Sequence, residues 1–274
     1  MTAYSLNLIN TFSILGPAFV AGMLVLATHV PLGQQVLKRG IVFIDLAVAQ
    51  IAALGVIAAD MLGLPPQGWA VQLAALSAAL LGALLLTWTE KRWPDVQEAL
   101  IGAIFVLAAS AGLLLLANNP HGGEHLKDLL AGQILWVGTS QLIPAAIVSV
   151  FILALWFGFK THIGRIGFYL LFALAVTVSV QLVGVYLVFS SLIMPAIAVR
   201  NWSQSKKLVG GYLIGAIAYL VGLALSALFD LPSGAVIVWC LAGVGICVNV
   251  LIPTTVLAPK LAPNNVMTVG EIKN

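Results

Sequence analysis

The residues with the clearest chemical potential lie inside an apolar stretch that runs from residue 41 to residue 63. Asp45 stands near the beginning of this stretch, Gln50 lies deeper, and Asp60 is close to its far end. A carboxylate within a membrane helix costs about 3 kcal/mol or more, so it usually faces the bundle interior, a partner or a permeation path. The pattern favours a path for a solute. The structural alternative is a carboxylate that is hydrogen-bonded within the bundle or reaches water at the interface.

The spacing of these polar residues limits how they can act together. Asp45 and Gln50 are five residues apart, which corresponds to about 140° around an α-helix, so they cannot both point into one narrow site. Ala49 and Ala52 share the Asp45 face, where small side chains suit close helix contact or an open path. Gln181 is a further polar candidate in an apolar region, and simple hydrogen bonding between helices is the stronger interpretation there.

A second group of polar residues lies in the loop 118–128, NNPHGGEHLKD. It holds four side chains of the types that divalent zinc and manganese accept as ligands, namely His121, Glu124, His125 and Asp128. The adjacent glycines at 122 and 123 argue against an ordered helix that would bring the two histidines onto one face. We expect either weak capture and release of a metal ion or, as the alternative, a solvated polar loop.

Composition defines the class of protein that must position these residues. Of the 274 residues, 61% are hydrophobic and 8% are charged, whereas about a quarter of a soluble domain is charged. The sequence therefore predicts an all-α, polytopic membrane protein with a single transmembrane domain at 1–258 and a polar cytoplasmic tail at 259–274. Basic residues at loop ends are topology signals here and do not indicate nucleic-acid binding.

Apolar runs predict where the chain crosses the membrane. A span needs about 17–25 residues, and the run 166–199 is too long for one crossing, so we expect two short crossings with a reversal near Gly184. The run 129–158 is expected to begin with an interfacial or partly re-entrant piece. These runs together predict about eight or nine transmembrane helices, some of which are allowed to be half-helices. The predicted segments are 9–30, 41–63, 69–88, 96–117, 129–158, 166–199, 208–229 and 234–257.

The distribution of basic residues predicts the orientation. If the amino terminus is outside and 166–199 crosses twice, only Lys127 of the 12 basic residues lies outside, in agreement with the positive-inside rule. In this topology His29 is at the cytoplasmic edge of the first span and His162 is in a cytoplasmic loop, where both are expected to be interfacial side chains. The other eleven basic residues are Lys38, Arg39, Lys91, Arg92, Lys160, Arg165, Arg200, Lys206, Lys207, Lys260 and Lys273.

Motifs of soluble catalytic modules are absent from the sequence. It contains no GxxxxGK[ST] phosphate loop and no HExxH, CxxC or GxSxG motif. The chain is therefore not expected to be an enzyme, and any ATP hydrolysis coupled to it would be carried out by a separate subunit.

Three motifs in order resemble the membrane permeases of the zinc and manganese ABC importers. The first motif is PLG at 31–33, which is followed by a basic pair, a helix that contains an Asp, and ALG at 53–55. The second is GVYLVFSSLIMPAIAVR at 184–200, and the third is FDLPSGAVIVWC at 229–240. The similarity extends over nearly the whole chain. It implies a permease subunit in the cytoplasmic membrane that moves a divalent metal ion. Zinc is the first candidate for this ion, and manganese and iron are the alternatives. The resemblance implies no permanently bound cofactor.

The resemblance also implies partners. Two copies of the chain would form the path as a homodimer in the lipid bilayer, with ATPase subunits on the cytoplasmic face and an extracytoplasmic metal-binding protein outside. The transported ion would pass Asp45 and Gln50, and His121, Glu124, His125 and Asp128 would make transient capture contacts.

Two features depart from the family pattern. Family members typically carry an Asp and a His four residues apart on the second helix. Here Asp45 lies beside the first of these positions, and Gln50 occupies the second. The cytoplasmic link in which the family places its ATPase-coupling segment is only FKTHIGR, residues 159–165. Either another loop docks the ATPase, such as 90–95 or 200–207, or the coupling is altered.

Two other functions are compatible with the residues alone. One is a secondary transporter driven by an ion gradient, in which Asp45 would be a proton or sodium site. The other is a membrane scaffold subunit that transports nothing.

Overall fold

A computed structural model of the chain describes residues 3–64, 68–116, 130, 132–159 and 163–251. This part of the chain contains nine α-helices and two single turns of 3₁₀ helix, at Pro94–Val96 and Ile134–Trp136. The helices, numbered in chain order, are α1 (Ala3–Arg39), α2 (Ile44–Met61), α3 (Trp69–Arg92), α4 (Gln97–Leu116), α5 (Thr139–Gly158), α6 (Arg165–Val183), α7 (Val185–Ala198), α8 (Gln204–Phe229) and α9 (Ser233–Leu251).

Eight of these helices are long and apolar enough to cross a membrane, and α7 is a shorter apolar helix of 14 residues. The described residues contain no β-strand. The predicted all-α membrane architecture with about eight or nine transmembrane helices is therefore confirmed. Most predicted spans agree with the observed helices to within a few residues, although α3 extends to Arg92 and not to Trp88.

The first helix is longer than predicted. The α1 helix continues through Pro31 to Arg39, so the motif PLGQQVLKR is the end of a helix and does not form a link between helices. A proline lacks the N–H that a helix interior requires, but neighbouring helices in a bundle tolerate this loss. Lys38 and Arg39 occupy the last turn, where positive charge interacts favourably with the helix dipole.

The long apolar run 166–199 divides at the predicted position. Gly184 separates α6 from α7 and adopts a φ of 81°, a left-handed conformation that favours glycine. Gly132, also at positive φ, packs directly against the backbone of Val183 and Gly184. Gly132 thus lies against the helix break, and the α-helical part of the fifth span begins only at Thr139, after the 3₁₀ turn Ile134–Trp136.

Helix α6 is buried along much of its length. Its buried side chains include Phe168, Tyr169, Phe172 and Val176. Helix α6 contacts α1, α2, α3, α5 and α7, while α2 packs against α3, α4, α6 and α7. Small residues permit close contacts elsewhere, because Gly33 of α1 lies against the carbonyl oxygen of Leu192 in α7. Such van der Waals contacts hold helices together in lipid, where hydrophobic burial gives little driving force.

Candidate functional site

Asp45 is the second residue of α2 and lies in its first turn. Only 1% of Asp45 is exposed, and Ala49 and Ala52 on the same face are also buried. The exposed residues of this helix, Ala58 and Met61, fall about 140° to 160° away from Asp45 at 100° per residue. Asp45 therefore lies on the inner face of α2.

The helices that pack against α2 indicate which part of the bundle its inner face contacts. On one side Gly55 packs against Ala74 and Ala78 of α3, and on the other side Ile57 reaches Gly112 of α4. The Asp45 face lies between these two contact lines, and the remaining neighbours of α2 are α6 and α7. Asp45 is thus directed toward the pair of helices that flank the break at Gly184.

Both carboxylate oxygens of Asp45 are buried and accept no hydrogen bond from the described residues. Buried charges in proteins are normally paired, hydrogen-bonded or bound to a metal. The positive end of the α2 dipole provides part of the compensation, since Asp45 is within the first turn. A cation at this position would supply the rest, and the structural alternative of a carboxylate hydrogen-bonded within the bundle is not found among these residues.

Gln50 is buried as well, with 8% of its surface exposed. It is about 140° from Asp45 around α2 and only about 20° from the direction of Ile57, so it lies on the side of α4. The two polar residues do not share a face, in agreement with the prediction from their spacing. Gln181, the third polar candidate, is half-buried in α6.

Glu98 of α4 is a neighbour of this site that the sequence did not single out. Its Oε1 accepts a hydrogen bond of 3.2 Å from the backbone N–H of Phe43, which precedes the first residue of α2. The start of a helix leaves N–H groups without intrahelical partners, and no side chain within α2 caps them. A carboxylate from another helix therefore holds the end of α2 that carries Asp45.

His29 was expected at the membrane interface, and this expectation is wrong. Its side chain is fully buried, and because α1 extends to Arg39, it lies ten residues, or about 15 Å, from the end of the helix. Its Nδ1 is 3.0 Å from both the carbonyl oxygen of Val25 and the hydroxyl oxygen of Thr28. Nε2 is buried without a partner in the described structure.

The outer-loop residues His121, Glu124, His125 and Asp128 lie outside the described residues. Within the described ranges no group of three His, Cys, Asp or Glu side chains could hold a metal ion. Asp60 is half-buried near the end of α2, and Asp230 is exposed at the end of α8 with a φ of 52°.

The fold and the buried carboxylate together define a multi-pass α-helical membrane protein built like a transport permease. The sequence model of the ABC 3 transport family matches residues 11–166 and 154–251. The chain therefore belongs to the ABC 3 transport family.

Individual relatives have similar lengths. The high-affinity zinc uptake system membrane protein ZnuB of Haemophilus influenzae is 25% identical over 252 residues, which cover 84% of this chain and 95% of ZnuB. A probable metal transport system membrane protein of Chlamydia trachomatis is 26% identical over 190 residues, 62% of this chain and 65% of that protein. Among solved structures, PsaBC from Streptococcus pneumoniae in complex with Fab has the same fold, with a TM-score of 0.74, 21% identity and coverage of 93% of this chain and 97% of that one.

Proposed function

We propose that this chain is the permease subunit of an ABC importer in the cytoplasmic membrane, and that its substrate is a divalent metal ion. Zinc is the first candidate, and manganese and iron are the alternatives. The observation that carries the proposal is the Asp45 carboxylate, which is buried on the inner face of α2 without a hydrogen-bond partner among the described residues. Membership of the ABC 3 transport family and the printed names of relatives in zinc and metal uptake support it.

A lone carboxylate suits transient contact with a passing ion. Carboxylate oxygens bind zinc and manganese, but tight binding by several protein ligands would slow release. Gln50 lies about 1.4 turns deeper on a different face, so its amide oxygen is available at another point along α2 and not in the same coordination sphere. We infer that the ion passes these groups in sequence during alternating access.

The partners of the proposed importer follow from the family. An ABC importer requires a separate ATPase on the cytoplasmic face, because this sequence contains no P-loop. We propose that two copies of the chain form the path and that an extracytoplasmic protein delivers the metal. Helices α4, α5 and α9 are the least buried of the eight candidate spans in the described bundle, so the surface available to a second copy and to lipid is found there.

The proposal is tested by uptake of radioactive zinc into vesicles that contain the permease and its ATPase. Asp45→Asn keeps the shape and hydrogen-bonding capacity of the side chain but removes its charge, so we expect uptake to fall at least tenfold. Asp60→Asn, at the other end of the same helix, is the matched control and should retain most uptake.

Stability separates transport from structure in this experiment. Because the Asp45 oxygens have no partner among the described residues, Asp45→Asn should unfold at the same or a higher temperature than the parent protein. Normal uptake by Asp45→Asn would contradict the proposed path. Uptake that requires a proton gradient and not ATP would instead identify a secondary transporter.

A further inference from the structure

A groove runs between three helices at the end of the bundle that carries most of the basic residues. It is lined by Lys91 near the end of α3, by residues at the end of α5 and by residues in and just before the first turns of α6. Its volume is about 690 Å³, within the range of about 300–1,000 Å³ that is typical of small-molecule sites. The apolar lining residues are Leu155, Phe159, Ile163, Ile166, Leu170 and Leu171.

Two basic side chains, Lys91 and Arg165, line the same groove. Lys91 is exposed and has no ion-pair partner in the described part of the chain. Arg165 uses its Nε to contact Glu90 Oε2 at 3.4 Å, and 46% of its side chain remains exposed. Glu90 offsets only one of these two positive charges. The end of the groove that carries Lys91 and Arg165 therefore keeps a net positive charge.

Two tryptophans place this charged end at the level of the lipid headgroups. Trp88 and Trp93 flank Lys91 in sequence and form an edge-to-face pair with ring centroids 5.2 Å apart. Both residues are about half exposed, Trp88 at 54% and Trp93 at 43%. Because exposed tryptophans are enriched at membrane–water interfaces, we infer that Lys91 lies near the depth of the lipid phosphates.

We propose that this groove binds an anionic glycerophospholipid. One acyl chain would lie along Leu155, Leu170 and Leu171, and the phosphate would contact Lys91 and the exposed part of the Arg165 guanidinium. Basic pockets between transmembrane helices on the cytoplasmic side are a recognised way to bind acidic headgroups. The bound lipid would join α3, α5 and α6 next to the short link 159–165. This inference is independent of the transported substrate.

The structure provides two ways to disrupt the site and a matched control for each. Lys91→Gln removes the unpaired charge, whereas Arg92→Gln removes the adjacent charge, which lies 5.8 Å over the Trp93 ring and does not line the groove. Gly164→Leu adds bulk inside the groove, where a new side chain would meet no atom within 4 Å. Gly158→Leu adds the same bulk at an equally open position outside the groove.

The measurement is native mass spectrometry of the full chain in detergent, titrated with phosphatidylglycerol and, separately, with phosphatidylcholine. We expect the parent protein to prefer phosphatidylglycerol. Lys91→Gln should bind it about fivefold more weakly, the factor that corresponds to about 1 kcal/mol for one basic residue. Gly164→Leu should lose binding of both lipids, and the two controls should behave like the parent. Inorganic phosphate should not compete, because it has no acyl chain to occupy the groove.

Equal binding of phosphatidylglycerol to the parent protein, Lys91→Gln and Gly164→Leu would overturn the proposal. If these variants also failed to co-purify with the ATPase, the groove would be assigned to protein docking. Thermal unfolding in detergent identifies a variant that fails to fold. In that case the smaller Gly164→Ala, which extends less far into the groove, should show a partial loss of lipid binding.

Discussion

Glu98 accepts a hydrogen bond from the backbone N–H of Phe43 across 55 residues of sequence, and this contact joins the start of α4 to the start of α2. Asp45 is two residues beyond Phe43. The carboxylate of Glu98 thus contacts the same end of α2 that carries Asp45, and we expect this contact to help position Asp45.

Removal of the Glu98 carboxylate should loosen the start of α2. We expect Glu98→Ala to lower the free energy of unfolding by about 1 kcal/mol, as the loss of a helix N-cap does, and to reduce uptake through displacement of Asp45. Glu98→Gln keeps an acceptor oxygen and should stay close to the parent in both measurements. Thermal unfolding in detergent and vesicle uptake check the pair. Equal behaviour of Glu98→Ala and Glu98→Gln would show that the hydrogen bond does not position α2.

Much of the architecture was predictable because membrane spans have a characteristic length. The run 166–199 exceeded one span, and only Gly184 offered a residue suited to a positive φ near its middle. The buried state of Asp45 followed from its apolar flanks. These inferences use local properties of the chain, which the sequence shows directly.

The errors have physical causes that local patterns do not reveal. PLG at 31–33 resembles a helix end, yet α1 continues to Arg39 because its other helical turns pack against α7 and α8. That extension moved His29 from the expected interface into the core. Glu98 was missed because its partner is a backbone group in another helix.

The contact between α1 and α7 predicts a specific sensitivity at Gly33. A Cβ at this position would collide with the backbone carbonyl oxygen of Leu192, which cannot move as a side chain can. We expect Gly33→Ala to lower the free energy of unfolding by about 1–3 kcal/mol, the range for overpacking in a dense core. Gly16→Ala in the same helix meets no atom within 4 Å and should be neutral or slightly stabilising. Unfolding temperatures in detergent compare the two, and equal values would contradict the close contact.

The predicted orientation is tested with impermeant thiol reagents. Cys240 and Cys247 are free, so both are first replaced by serine. Single cysteines at positions 119 and 205 (Asn119→Cys and Ser205→Cys) should then react from opposite sides of the membrane, position 119 from the outside, because the basic residues near Ser205 favour the cytoplasm. Labelling of both cysteines from one side would refute the topology.

The outer loop gives the last prediction, because His121, Glu124, His125 and Asp128 can capture metal without performing the transport step. A capture site raises the local metal concentration, so His121→Ala combined with His125→Ala should weaken uptake most when free zinc is scarce. At high zinc the difference should shrink. Asn119→Ala combined with Asn118→Ala, which alters the same loop without removing a ligand, is the control.

Acidification should reproduce part of this defect in the parent protein. An ordinary histidine has a pKa near 6.5, and its protonated form cannot bind metal. As the pH falls from about 7.5 toward 5, the parent should lose uptake at low zinc, whereas the double histidine variant should lose less because its imidazoles are already absent. Uptake is measured against free zinc at both pH values. If the curves of parent and variant coincide at low zinc, the loop is a solvated polar surface without a role in capture.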